Sequence, residues 1–283
     1  MLFSFLILLR EGFEITLILA IVLGYLKRTG NTHLFPQVWF GAGAALVISI
    51  VAGAVLELTT AELSGAAQEM LEGFTMLFAV IVLTWMVFWM KRQAASIGRD
   101  LRHQVDIAIE HGSLIALVML AFSAVLREGL ETVLLLFAGA SVQRGDTGPF
   151  LLGALAGGAI ACALGYAVYR GSHAIPMRQF FTVSGILVLI IAAGLLSNGI
   201  AELQESGLFH LGSRPWDTDS TLSQTTTLGK FLHTLIGYDS APTWGQIILY
   251  WGFLAGGLSA FLSGIGTPSP RPSAAQTEPV AQG

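Results

Sequence analysis

The sequence predicts an all-α integral membrane protein with seven transmembrane helices, an outside N-terminus and a cytoplasmic C-terminus. Three observations support this fold class. Of the 283 residues, 54% are hydrophobic and only 11% are charged, whereas soluble domains carry about 25% charged residues. Seven apolar segments have about the 20 residues that a membrane helix needs. The basic residues between these segments fall mainly on one side of a seven-helix chain.

The seven predicted spans are separated by polar segments. Aromatic residues near their ends, among them Trp85, Trp89 and Trp244, are typical of membrane interfaces. The N-terminal segment lacks the basic region and cleavage site of a signal peptide, so we expect it to remain as the first span. The spans are predicted at residues 2–26, 36–56, 70–90, 114–138, 149–169, 180–200 and 246–266.

The distribution of basic residues predicts the orientation. Cytoplasmic loops carry an excess of Lys and Arg, and one side of the seven-span chain has nine such residues while the other has three. This places the N-terminus outside. The larger group contains Lys27, Arg28, Lys91, Arg92, Arg99, Arg102, Arg170, Arg178 and Arg271.

A charged motif occurs twice within the apolar segments. LLREGFEITL at residues 9–18 recurs as VLREGLETVL at 125–134, and Arg10 and Arg127 are 117 residues apart. The second motif lies three spans further along the chain than the first, so the two motif helices are expected to run in opposite directions. The pattern predicts an inverted repeat of two three-helix units, an architecture in which carriers hold their substrate near the middle of the membrane.

The repeat divides a predicted membrane domain, which covers residues 1–266. Its parts are repeat 1 (about 1–113), repeat 2 (about 114–200), an outer loop (201–245) and the seventh span (246–266). The remaining residues, 267–283, hold four of the nine prolines and are predicted to form a disordered tail. Within repeat 1, Ile97, Leu101, Val105 and Ala108 recur at helical spacing, which predicts a helix on the cytoplasmic surface.

Each motif places one arginine and two glutamates near the middle of its span. At 100° per residue, Arg10, Glu11 and Glu14 lie on one helix face. The second motif supplies the equivalent residues Arg127, Glu128 and Glu131. An ionised side chain at the bilayer centre costs at least about 2.5–3.5 kcal/mol, so these groups are expected to face each other or a wet cavity. Gly12 and Gly129 are expected to let the two motif helices approach closely.

If the motifs meet, four carboxylates and two guanidinium groups share one site with a formal charge of −2. Carboxylate oxygens suit Mg, Ca, Mn and iron ions better than Cu(I), and one divalent cation would neutralise the site. Arginine–glutamate pairs that only hold helices together would not need the second acid of each motif. The predicted metal ligands are Glu11, Glu14, Glu128 and Glu131, with Arg10 and Arg127 as supporting charges.

Further acidic pairs are predicted on the outer side. Glu69 and Glu72 are spaced i, i+3 at the outer end of the third span, and we expect them to bind metal as well. Glu202 and Glu205 repeat this spacing just beyond the sixth span and are candidates for capturing cations.

Other classes of function are disfavoured. The single cysteine, Cys162, excludes an intrachain disulfide, a thiolate zinc site and an iron–sulfur cluster built by this chain. A net charge of −4 does not indicate nucleic-acid binding, and the common hydrolase and phosphate-loop motifs are missing. No permanently bound cofactor is expected.

With REGFE at 10–14 and REGLE at 127–131, the chain resembles the oxidase-dependent iron transporter family of iron permeases. The stretch VLTWMVFWMKRQ at 82–93 is similar to bacterial members. The resemblance implies high-affinity iron uptake across the plasma membrane, here a bacterial inner membrane, with iron as substrate. It also implies that the REGxE glutamates bind iron. Fungal relatives work with a ferroxidase, and the bacterial type works with a periplasmic iron-binding protein and a haem peroxidase.

The residues leave several alternatives open. The cargo is Fe²⁺, Fe³⁺ or another divalent metal such as lead or manganese. Carboxylates within a membrane also occur in intramembrane enzymes. The charged motifs could instead serve only to pair helices in a subunit that transports nothing.

Overall fold

Helices dominate the described part of the chain, which contains no strand. The structure is a computed structural model that describes residues 1–61, 65–93, 97–110, 113–142, 147–171, 177–209, 211–219, 221–223 and 226–263. Within these ranges the helices are α1 (Leu2–Arg28), α2 (Phe35–Ala61), α3 (Ala66–Gln93), α4 (Ile97–Glu110), α5 (Leu114–Val142), α6 (Thr147–Tyr169), α7 (Met177–Glu205), α8 (Thr227–Ile236) and α9 (Trp244–Leu262). A short 3₁₀ helix (Thr32–Leu34) lies between α1 and α2. The predicted tail, 267–283, lies outside the described residues.

A helix occupies each of the seven predicted spans. Five of these helices, α2, α3, α6, α7 and α9, are long and apolar enough to cross a membrane. α1 and α5 have 27 and 29 residues, and each carries an arginine and two glutamates near its middle. The five apolar helices make the chain a multi-pass membrane protein.

The helices pack mainly in three pairs, α1 with α6, α2 with α5, and α3 with α7. α1 and α6 run parallel, because contacts progress along both helices in the same direction. The contacting pairs are Met1 with Gly153, Phe5 with Gly157, Gly12 with Ala161 and Thr16 with Gly165. The glycines allow close backbone approach in this pair.

The α2–α5 pair uses equivalent contacts. Its contacting pairs are Gly41 with Val118, Ser49 with Gly129, and Gly53 with Val133. The contact positions of the two pairs correspond in sequence. On the motif helices, each α5 residue (Val118, Gly129 and Val133) lies 117 residues after the α1 residue that makes the equivalent contact. On the partner helices, each α6 residue lies 112 residues after the equivalent α2 residue. The two motif helices therefore use equivalent positions to pack on different partners, α1 on α6 and α5 on α2.

The expected role of Gly12 and Gly129 is wrong. A Cβ atom on Gly12 would lie 3.0 Å from the Cβ of Ala161 in α6, and one on Gly129 would collide with Ser49 of α2. Neither glycine brings α1 close to α5. Since adjacent residues are 100° apart around a helix, each glycine faces a side different from the one that holds the glutamates.

Gly157 and Gly158 provide a matched test of the α1–α6 contact. A Cβ atom on Gly157 would lie 2.9 Å from the backbone nitrogen of Leu9, whereas nothing lies within 4 Å of one on Gly158. We expect Gly157→Ala to destabilise the protein by about 1–3 kcal/mol through overpacking. Gly158→Ala gains the same helix propensity without a collision and should not destabilise it. Thermal unfolding of the purified variants checks this, and equal stabilities would contradict the contact.

The buried core lies in two main clusters along α1, one on each side of its motif. Phe3 and Ile7 pack with residues of α3, α5, α7 and α9, and Ile18 and Val22 pack with residues of α2, α4 and α5. The charged residues between these clusters are therefore shielded from solvent.

Two short helices lie outside the predicted spans. The helix predicted from Ile97, Leu101, Val105 and Ala108 is present as α4, and the last three of these side chains are buried. α8 lies in the segment predicted only as an outer loop. Thr226 caps the start of α8 by accepting a hydrogen bond from the Gly229 amide.

Candidate metal site between the two motif helices

The two REGxE motifs meet where α1 and α5 pack together. The helices run antiparallel, because Phe3 near the start of α1 packs on Gly139 near the end of α5. Glu11 then faces the second motif at the crossing. The i, i+3 spacing puts both glutamates of each motif on this facing side, so the predicted meeting of the motifs is present.

Three carboxylates converge at the crossing, and we call them the carboxylate cluster. Glu11, Glu128 and Glu131 each offer one oxygen, and these oxygens all lie within 4.8 Å of one another. Glu11 and Glu128 are fully buried, while the side chain of Glu131 is 11% exposed. Within the described ranges, this is the one group of three or more His, Cys, Asp or Glu residues close enough to hold a metal ion.

Arg10 is buried between the two glutamates of its own motif. Its Nη1 lies 3.3 Å from Glu11 Oε1, and its Nη2 lies 3.4 Å from Glu14 Oε1. Glu11 belongs to the carboxylate cluster, whereas Glu14 does not. Sequence reasoning treated the four glutamates as equivalent, and the structure separates Glu14 from the other three.

Arg127 has different surroundings from Arg10. Its side chain is 39% exposed, and its Nε and Nη2 both donate hydrogen bonds to Glu128 Oε1, the first at 3.0 Å. Its Nε lies 3.9 Å from Glu131 Oε1. The guanidinium carbon lies 4.3 Å from the centre of a Trp89 ring. The sequence identified Trp89 only as an interfacial aromatic, because nothing in its spacing connects it to a charge on α5.

The glutamates retain unused hydrogen-bonding capacity. One buried oxygen has no hydrogen-bond partner in each of Glu11, Glu128 and Glu131. In Glu14, both carboxylate oxygens are buried without a hydrogen-bond partner. Leaving such a group unsatisfied costs about 1–3 kcal/mol, and more when it is charged. With two arginines, the four glutamates have a formal net charge of −2 when all of them are ionised. A cation with oxygen ligands fits both the free oxygens and this charge.

The two other predicted acidic pairs do not belong to the carboxylate cluster. Glu72 is buried and accepts a hydrogen bond of 2.7 Å from Gln68 Nε2, while Glu69 is half-buried. Glu202 is half-buried and Glu205 is exposed at the end of α7. Because Gly73 packs on Leu203, the two acidic pairs lie at the same end of the α3–α7 pair.

Five membrane-length apolar helices and a buried carboxylate cluster define a class, the helical membrane proteins that enclose an ionic site among their spans. Within that class, the chain belongs to the Iron permease FTR1 family, which matches residues 1–263. It is a transporter rather than an enzyme, and the predicted resemblance to iron permeases is confirmed.

Individual relatives agree with this family. The chain is 35% identical over 260 residues to the ferrous iron permease EfeU of Escherichia coli O157:H7, with 91% of this chain and 94% of the relative covered. It is 36% identical over 260 residues to ferrous iron permease EfeU of Yersinia pestis, with coverages of 91% and 92%. No solved structure matches the chain.

Proposed function

We propose that this protein moves Fe²⁺ inward across a bacterial inner membrane through the carboxylate cluster between α1 and α5. The observation that carries the proposal is the convergence of three carboxylate oxygens within 4.8 Å in a buried setting. Fe²⁺ is favoured over Fe³⁺ because one divalent ion neutralises the charge of −2. The relatives named ferrous iron permeases support the same choice.

The charged residues have distinct proposed roles. Glu11, Glu128 and Glu131 replace part of the hydration shell of the ion, since carboxylate oxygens suit hard divalent cations. Arg10 reduces the repulsion between Glu11 and Glu14 at distances of 3.3 and 3.4 Å, and Glu14 remains a reserve ligand. Iron is cargo in this proposal, and no resident cofactor is needed.

The proposal includes a seven-span topology in which α1 and α5 also cross the membrane. At about 1.5 Å per residue, their 27 and 29 residues exceed the ~30 Å hydrocarbon core. Arg10, Glu11, Glu14 and Glu128 are buried among the helices. The excess of basic residues on one side supports an outside N-terminus and a cytoplasmic C-terminus.

An inverted repeat is the proposed basis of transport. Its support is that α1 packs on α6 through the same positions that α5 uses on α2. Each motif helix thus belongs to one unit and packs on the other unit. Rocking of the two units about the carboxylate cluster would expose it first to one side of the membrane and then to the other.

Capture of iron on the outer side is assigned to the acidic pairs Glu69–Glu72 and Glu202–Glu205. Their placement at one end of the α3–α7 pair supports a joint role. The segment 201–245 is the proposed docking region for a periplasmic iron-binding protein and for a haem peroxidase or ferroxidase. These partners follow from the family resemblance predicted from the motifs.

Iron uptake into right-side-out membrane vesicles tests the proposed function. We expect saturable uptake of radioiron supplied as Fe²⁺ under ascorbate, and little uptake of chelated Fe³⁺. Manganese and lead should be tested as competitors, because oxygen ligands also suit Mn²⁺. Uptake of Fe³⁺ alone, or uptake no greater than in vesicles without the protein, would contradict the proposal.

A further inference from the structure

The two motif arginines hold equivalent sequence positions but bind their glutamates differently. Arg10 is 3% exposed and lies within 3.4 Å of both glutamates of its motif. Arg127 is 39% exposed, bonds to Glu128, and lies 3.9 Å from Glu131. Glu131 belongs to the carboxylate cluster, whereas Glu14, its counterpart beside Arg10, does not.

Arg127 has an aromatic neighbour, Trp89. The guanidinium of Arg127 lies over its ring at 4.3 Å, well within the distance of about 6 Å at which a ring attracts a cation. No aromatic ring in the described part of the chain makes the corresponding contact with Arg10. The Trp89 ring is neutral, so it attracts the Arg127 guanidinium without neutralising its charge. The positive charge therefore stays near the carboxylate cluster while Glu131 stays accessible.

We propose that Trp89 is a positioning residue that holds Arg127 away from Glu131 and leaves this carboxylate free to bind the transported cation. The inference rests on the proposed function. Without the ring, Arg127 would move to the position that Arg10 takes in its own motif and pair with both glutamates. The cation would then compete with a guanidinium for Glu131.

The exposure of the site fits this role. The side chain of Glu131 is 11% exposed and that of Glu14 is 2% exposed, so the cluster is more open on the side of Arg127. Trp89 lies near the end of α3, where Lys91 and Arg92 follow it. A cation that moves between the cluster and that end of α3 would pass the Arg127–Trp89 contact.

Fe²⁺ binding to the purified full-length protein under reducing conditions tests the inference. We expect Trp89→Leu to raise the dissociation constant about tenfold, which corresponds to about 1.4 kcal/mol. Trp89→Phe keeps a smaller ring and should raise it about threefold. Trp251→Leu removes an exposed tryptophan of α9 and should leave it unchanged.

A double-mutant cycle separates a positioning role from a structural one. If Trp89 acts through Arg127, Trp89→Leu should have no further effect on Fe²⁺ affinity in the Arg127→Gln background. If Trp89→Leu does not fold, Trp89→Phe takes its place in the cycle. Its Fe²⁺ affinity is then compared with that of the parent, and the affinity of Trp89→Phe, Arg127→Gln with that of Arg127→Gln.

The outcomes distinguish the two proposals. A parent protein that binds no Fe²⁺ would overturn the proposed function and this inference together. A parent that binds Fe²⁺ with unchanged affinity in both Trp89 variants would overturn the inference alone. The same conclusion would follow if the effects of Trp89 and Arg127 substitutions were additive.

Discussion

Replacing Glu128 with glutamine is expected to reduce iron uptake about a hundredfold while the helical fold is retained. Glu128 is fully buried, it contributes one oxygen to the carboxylate cluster, and its Oε2 has no hydrogen-bond partner. Glutamine has nearly the same shape but replaces one oxygen with an NH₂ donor and removes a negative charge. Losing one partner of a buried charge interaction costs about 2–5 kcal/mol, and a hundredfold loss corresponds to about 2.7 kcal/mol.

Radioiron uptake at equal protein content measures this effect. Glu57→Gln is the matched control, since Glu57 is an exposed carboxylate near the end of α2. Glu14→Gln is an internal comparison, and its loss should be smaller because Glu14 lies outside the carboxylate cluster. Parent-like uptake by Glu128→Gln would show that the cluster does not carry the ion.

Replacing Arg10 with glutamine is expected to cause the largest loss of stability among substitutions in the motifs. The side chain of Arg10 is 3% exposed and is the cation beside the buried carboxylates of Glu11 and Glu14. Breaking a buried ion pair by removing one partner costs about 3–5 kcal/mol, because an uncompensated charge remains. Arg127→Gln should cost less, since Arg127 is 39% exposed and, of its two glutamates, donates hydrogen bonds to Glu128 alone.

Thermal unfolding of the purified proteins compares these variants. The double variant Arg10→Gln, Glu14→Gln should recover part of the lost stability, because one of the two unpaired carboxylates is then neutral. Equal stabilities of the Arg10→Gln and Arg127→Gln proteins would contradict the assignment of Arg10 as the buried charge partner. A double variant that is no more stable than the Arg10→Gln protein would also contradict this assignment.

The sequence was sufficient to predict the helical segments and the meeting of the two motifs. Long apolar runs reveal buried or membrane helices whatever their partners, and a helix occupies each predicted span. The observed helices extend further, as α7 (Met177–Glu205) does beyond the predicted 180–200, because polar residues can continue a helix outside the apolar stretch. The meeting of the motifs was predictable because six charged groups within apolar helices need partners.

Contacts between distant helices could not be predicted from the sequence. Gly12 and Gly129 indicate a close helix approach, but the sequence does not identify the partner helix. Gly12 packs on α6 and Gly129 packs on α2, and neither packs on the other motif helix. The contact of Trp89 with Arg127 joins α3 to α5 and leaves no periodic signal. Glu131 belongs to the carboxylate cluster and Glu14 does not, whereas the two motifs give both residues the same position.

Anomalous diffraction at the iron edge, from crystals grown with Fe²⁺ under reducing conditions, tests the central claim most directly. The account predicts one strong iron peak within bonding distance of the carboxylates of Glu11, Glu128 and Glu131. The peak should disappear in Glu128→Gln crystals. A parent protein with iron bound only at Glu69 and Glu72, or at any place other than the carboxylate cluster, would contradict the claim.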